Sequence, residues 1–103
     1  MKREIRDILQ VDRLIHEPGR LVIMAVLYFV EAADFLYLLR ETGMTRGNLS
    51  SHLTKLEAGG YVEIEKTYKD KMPHTICRLS RAGRLAFQEY RANLKTASDN
   101  MKD

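Results

Sequence analysis

The 103-residue sequence contains one cysteine, two prolines and no tryptophan. A single cysteine excludes an intrachain disulfide framework and a cysteine-only zinc site, and it fits a reducing compartment. The longest apolar run, Leu21 to Val30, has ten residues, roughly half the length that crosses a bilayer. It follows a charged N-terminus, and no small-residue cleavage site comes after it. The expectation is therefore a soluble cytoplasmic protein with no membrane partner. The three histidines, His16, His52 and His74, fall on different elements, and with Cys77 they form no metal-ligand spacing. No metal and no cofactor is expected. No nucleophile–base pair or phosphate-cradling glycine loop is present, so no enzyme is expected either.

What is present fits one small globular domain. Apolar residues make up 45% and charged residues 30%, with a net charge of +3, which is too apolar and too weakly charged for disorder. Apolar spacings of three and four predict an amphipathic helix over Lys2–Ile15. Pro18 suits the first turn of a second helix, Arg20 to about Val30, which is apolar nearly all round and reads as buried. Tyr28 to Val30 has some strand character, and Glu31 to Phe35 reads as a link. Asp34 is a natural N-cap for a short helix, Phe35–Thr42, with Phe35, Leu38 and Leu39 inward and Gly43 as its stop.

Thr45 caps a further helix to about Ala58, which Gly59-Gly60 ends. Strands are expected at Tyr61–Lys66 and Thr75–Leu79, joined by a polar turn over Thr67–His74 that contains Pro73. Ser80 caps a last helix, whose Phe87, Tyr90, Leu94, Ala97 and Met101 repeat at 3, 4, 3, 4. The stripe serves a second chain, the protein's own first helix, or both, one through the seam and the other through its flanks. Ser98 onward is expected to fray. The fold class is mainly α with a small antiparallel β-hairpin, a helix-turn-helix followed by a wing. Residues 14–80 form its core, and residues 1–13 and 81–103 form flanking helices.

Function is concentrated between Gly43 and Arg84. On a helical wheel Leu49, Leu53 and Leu56 form one buried stripe. Gly47, Ser51 and Ala58 lie opposite, with Thr54, Lys55 and Asn48 around the same side and Ser50 and His52 on the flanks. This face is small, polar and free of acids from Thr45 to Lys55, which suits entry into a DNA major groove. Lys66, Lys69, Lys71, Arg78, Arg81 and Arg84 meet a single acid, Asp70. That segment carries net +5 and leaves −2 for the remainder, so basic charge is gathered beside the helix. Cys77 reads as a small buried apolar residue, with thiol sensing as the alternative.

Three stretches carry a resemblance: HEPGRLVIM at 16–24, TRGNLSSHLTKLEAGGYVEIEK at 45–66 and KMPHTICRLSRAGRLAF at 71–87. Residues 14–90, about three quarters of the chain, resemble the winged-helix transcriptional regulators of the MarR/ArsR-like superfamily. The resemblance implies that the Thr45–Ala58 helix lies in the major groove and the wing lies against backbone or minor groove. It implies contacts from Thr45, Arg46, Asn48, Ser50, Ser51, His52 and Lys55, with Asn48, Ser51 and His52 nearest the bases. Lys66, Lys69, Lys71 and Arg78 are expected to add phosphate contacts. It further implies a homodimer on a pseudo-palindromic operator, joined through the first and last helices by Ile5, Ile8, Leu9, Phe87, Tyr90, Leu94, Ala97 and Met101. The sequence departs from the cysteine-rich metal sites of many ArsR-like proteins, and it names no small-molecule effector. The expected function is a sequence-specific double-stranded DNA-binding regulator that represses transcription. The rival readings are a winged-helix module that binds protein within a larger complex, and general RNA or chromatin binding.

Overall fold

The computed structural model describes residues 5–101. A short 3-10 helix, Ile5–Gln10, leads into α1 (Pro18–Val30), β1 (Ala32–Asp34), α2 (Phe35–Thr42), α3 (Arg46–Ala58), β2 (Val62–Lys69), β3 (Met72–Leu79) and α4 (Arg81–Asn100). The three strands form one antiparallel sheet in the order β1-β3-β2.

The helix starts follow from local chemistry. Asp34, Thr45 and Ser80 all have extended backbone, and each side-chain oxygen accepts from the N–H three residues on: Tyr37, Asn48 and Gly83. Each cap satisfies one donor that the first helical turn leaves without an intrahelical acceptor. Gly43 closes α2 at φ 70°, where its N–H donates to the Leu39 carbonyl.

The core lies between the helices and the inner face of the sheet. Leu49, Leu53 and Leu56 of α3 are buried as one stripe. Ile23, Met24 and Leu27 of α1, Leu38 of α2, and Val62, Cys77 and Leu79 of the sheet meet them. Burial of each such side chain stabilises by about 1.5–3 kcal/mol. Phe87 and Tyr90 of α4 close the cluster. Gly83 lets α4 pass directly over the Tyr61 backbone, where a Cβ would strike the Tyr61 carbonyl oxygen.

Five expectations change. The first helix is a 3-10 turn, Ile5–Gln10, and does not reach Ile15; residues 2–4 lie outside the described residues. The Asp12 side chain accepts from the N–H groups of Leu14 and Ile15 and turns the chain there. Helix α1 is not buried all round: Val22 and Phe29 are exposed, because only its opposite face meets the core. Tyr28 to Val30 stay helical, and the strand comes one step later, where Ala32–Asp34 pairs with Ile76–Arg78. The hairpin is longer than expected, since the turn is only Asp70-Lys71. Pro73 fits inside β3 because it faces Tyr68, one pair beyond the tip pair Lys69–Met72. In a two-residue hairpin that position is non-hydrogen-bonded, so its missing N–H would point to the open edge. The last helix, by contrast, holds its helical form through Asn100.

The stripe on α4 divides. Phe87, Tyr90 and Ala97 are buried within this chain, Leu94 is half-buried and Met101 is exposed. The 3-10 helix packs on α4, leaving Ile8 half-buried and Ile5 and Leu9 exposed. Phe87 and Tyr90 are thus taken up by this chain's own core, and Ala97 is buried within the chain outside that cluster. The molecule is elongated, 56 × 25 × 20 Å with a radius of gyration of 15.3 Å. A compact chain of this length would have about 13 Å.

Candidate nucleic-acid interface

Helix α3 presents a continuous polar face. Thr45, Arg46, Gly47, Asn48, Ser50, Ser51, Thr54 and Lys55 are all exposed. Among the described residues nothing lies within 4 Å of where a Gly47 Cβ would stand, so another molecule can approach the helix axis closely there. The first acid on α3 is Glu57, near its C-terminal end. Thr54 donates its hydroxyl to the Ser50 carbonyl at 2.9 Å, which uses up its donor and leaves its methyl group for an apolar contact.

The wing stands beside this face. Strand alternation puts Val62, Ile64, Lys66 and Tyr68 of β2 on the same face as Cys77 and Leu79. Lys66, opposite Thr75, therefore reaches the side on which α3 lies. A groove of about 240 Å³ runs between them, and Ser50, Thr54, Glu57, Lys66 and Thr75 are among the residues that line it. A second groove, about 370 Å³, separates Arg46 and the start of α2 from Met72 to Thr75. Lys69 and Lys71 flank Asp70 at the tip and are exposed. Among the described residues, Arg46, Lys55, Lys66, Lys69 and Lys71 form no ion pair. Arg46 lies over the Phe35 ring at 6.0 Å, and the four lysines carry charge that can meet a polyanion.

Two of the residues expected at the interface stand elsewhere. His52 turns toward the start of α1, with its side chain only 19% exposed. Its Nε2 lies 3.8 Å from Glu17 and its Nδ1 3.5 Å from the Arg20 guanidinium. The ring fills the space that Gly19 leaves by lacking a Cβ. His52 thereby braces α3 against α1 rather than facing the groove. The backbone N–H of Arg20, with help from the nearby His52, holds the Glu17 carboxyl below the usual range. Arg78 sits on the outer face of the sheet, opposite Glu63, and pairs with Glu65 at 3.4 Å. Its charge is engaged, and it points away from α3. Arg84, near the wing in sequence, stacks over the Tyr28 ring at 4.8 Å.

The remaining polar groups serve structure. Asp34 accepts from the Tyr37 N–H and faces His74 Nε2 at 3.3 Å, which ties the wing to the start of α2. The Tyr37 hydrogen bond, then His74, lowers the Asp34 pKa. Asp34 also puts a carboxylate at the α2 N-terminus, where a phosphate would otherwise be attracted. Tyr61 donates to Asp12, and this bond raises the phenol to about 12. Cys77 is fully buried, and desolvation raises its thiol to about 11. Among the described residues no group of three or more His, Cys, Asp or Glu is arranged to hold a metal. No helix there is long and apolar enough to cross a membrane.

A family model described as a winged helix DNA-binding domain matches residues 20–97, from α1 through most of α4. The chain belongs to that family. This winged-helix protein is also 37% identical over 90 residues to an uncharacterised protein of Methanocaldococcus jannaschii, covering 87% of this chain and 98% of the other. Among solved structures, it resembles a transcriptional regulator homologue from Pyrococcus horikoshii OT3. That match has a TM-score of 0.87 and 26% identity and covers 96% of this chain and 98% of the other. It shares its fold with a MarR-family transcriptional regulator from Enterococcus faecalis V583: TM-score 0.75, 19% identity, 96% of this chain and 89% of the other. In the winged-helix frame, α2 and α3 are the helix-turn-helix pair and β2–β3 is the wing.

Thr54 and Gly47 were legible on the helical wheel, yet neither stood among the expected contacts. Their signal was position alone, since neither carries a charge or a long hydrogen-bonding side chain.

Proposed function

We propose that this winged-helix protein is a homodimeric, sequence-specific double-stranded DNA-binding regulator that represses transcription by occupying an operator. One observation carries the reading: the exposed face of α3, free of acids from Thr45 to Lys55, lies beside a wing whose three lysines form no ion pair among the described residues. Asn48 and Ser51 read bases in the major groove. Arg46 and Ser50 flank them, and Thr45 and Lys55 hold phosphates. Lys66, Lys69 and Lys71 hold the backbone from the wing. The likeness to a transcriptional regulator homologue supports the regulatory role.

The elongated outline supports a dimer. The 3-10 helix and the C-terminal part of α4 form an arm that carries exposed Ile5, Leu9 and Met101 with half-buried Ile8 and Leu94. These five side chains are the proposed seam. Phe87 and Tyr90 hold α4 to the core, and Ala97 is buried further along the helix. The protein is read as cytoplasmic, with no catalytic activity of its own.

Selection of bound fragments from random DNA, followed by stoichiometry on the winner, tests the reading. The expected product is a pseudo-palindrome bound by two chains, with half-sites about one helical turn apart. Enrichment of no sequence would overturn specific regulation. Affinity that is insensitive to salt would overturn DNA binding itself.

A further inference from the structure

The wing carries a feature that phosphate binding does not use. Tyr68 is 75% exposed and Met72 66% exposed, near the end of a hairpin that is otherwise basic and polar. Tyr68 makes no hydrogen bond or ring contact among the described residues. Its place is nevertheless fixed. It stands two residues beyond Lys66 on the face directed to α3, and directly across from Pro73. Two residues of strand set it about 7 Å further out than Lys66. Pro73, its cross-strand partner, is the rigid apolar neighbour on that face. Lys66 lies behind it, and Lys69 and Lys71 lie ahead at the tip.

Lysines on both sides of one ring have a geometric consequence on DNA. The ammonium groups seek the two phosphate rails that border a groove. A ring between them then faces the groove, with no rail opposite it. Helix α3 occupies the major groove in the proposed complex, so the neighbouring groove that the wing reaches is the minor one. The minor-groove floor of an A·T pair offers only acceptors, whereas G·C adds the protruding amino group of guanine. An apolar ring fits the first floor and collides with the second.

Resting on the DNA-binding reading above, we infer that Tyr68, with Pro73 opposite it on the same face, is a minor-groove contact. It selects steps that lack the guanine amino group. The wing is then a specificity element as well as an electrostatic anchor.

The probes are poly(dI-dC) and poly(dG-dC). They present the same major-groove groups, and only the second carries the minor-groove amino group. The wild-type protein is expected to prefer poly(dI-dC) by about fivefold, the low end of the cost of one wrong base pair. Tyr68→Phe keeps the preference, because the ring and not the hydroxyl makes the contact. Tyr68→Ala lowers the ratio to near one, with the salt slope unchanged, since no charge is lost. Tyr68→Thr, which retains strand propensity, behaves like the alanine variant and separates a lost contact from a collapsed wing. The inference is overturned if the wild type binds both polymers equally, or if Tyr68→Ala or Tyr68→Thr keeps the preference. Binding of neither polymer would overturn the DNA-binding reading, and this inference with it.

Discussion

The turn at the wing tip allows charge and fold to be separated in one substitution. Asp70 and Lys71 both have positive φ, 52° and 67°, and they join the paired residues Lys69 and Met72. This is the mirror-type two-residue turn that favours glycine at its second position. A left-handed L-residue costs about 1–2 kcal/mol. Glycine gives back about 0.5–1 kcal/mol of that through its freer unfolded chain. Lys71→Gly is therefore expected to stabilise the protein by about 0.5–1 kcal/mol. For 103 residues, unfolding entropy near 2.1 cal/mol/K per residue converts this to a Tm rise of about 2–5 °C.

The same substitution removes one wing-tip charge per chain. Each lost phosphate contact lowers the slope of log affinity against log salt by about 0.9, or about 1.8 for a dimer. Over a fourfold rise in salt, the wild-type protein would lose about twelvefold more affinity than the variant. Lys71→Ala is the control, since it removes the charge and keeps the strain. Thermal unfolding and salt-titrated DNA binding are the assays. Stability should rise while binding weakens and its salt slope flattens. A fall in Tm would refute the turn geometry, and an unchanged slope would refute phosphate contact at the tip.

Three other outcomes are expected. Gly83→Ala places a Cβ against the Tyr61 carbonyl; despite the better helix propensity of alanine, urea unfolding should show a loss of about 1–3 kcal/mol. Asp34→Ala removes the α2 cap and the His74 partner, costing about 1 kcal/mol at neutral pH. Because the folded Asp34 pKa lies below its ordinary 3.8, this contribution is fully present above 3.8. It is lost as pH falls through the folded value, so the variant and wild type should converge in acid denaturation. Cys77, with its thiol raised to about 11 and no exposure, holds about one thiolate in ten thousand at pH 7. A thiol reagent at neutral pH should label it only in denaturant, and rapid native labelling would revive thiol sensing.

How far the sequence could be read depended on the range of the interaction involved. The caps at Asp34, Thr45 and Ser80 and the stop at Gly43 were legible because each is settled within four residues. The leucine stripe of α3 was legible for the same reason, since helical periodicity is local. The exposed polar face followed from it. The concentration of lysine on the hairpin was legible too, as a matter of composition along a short segment.

Tertiary contacts decided the rest. His52 lies on the flank of the α3 wheel, and only the arrival of Glu17, Gly19 and Arg20 makes it a brace between helices. Arg78 looked like one more free cation until sheet register brought Glu65 beside it. The α4 stripe could have served one chain or two, and the packing of α4 on the core spends Phe87 and Tyr90 inside this one. The strand Ala32–Asp34 exists only because β3 offers it an edge. In each case the deciding partner is more than a dozen residues away in the chain. Local propensity and periodicity specify what a segment is and which face is apolar. What comes to lie against that face is set by chain closure.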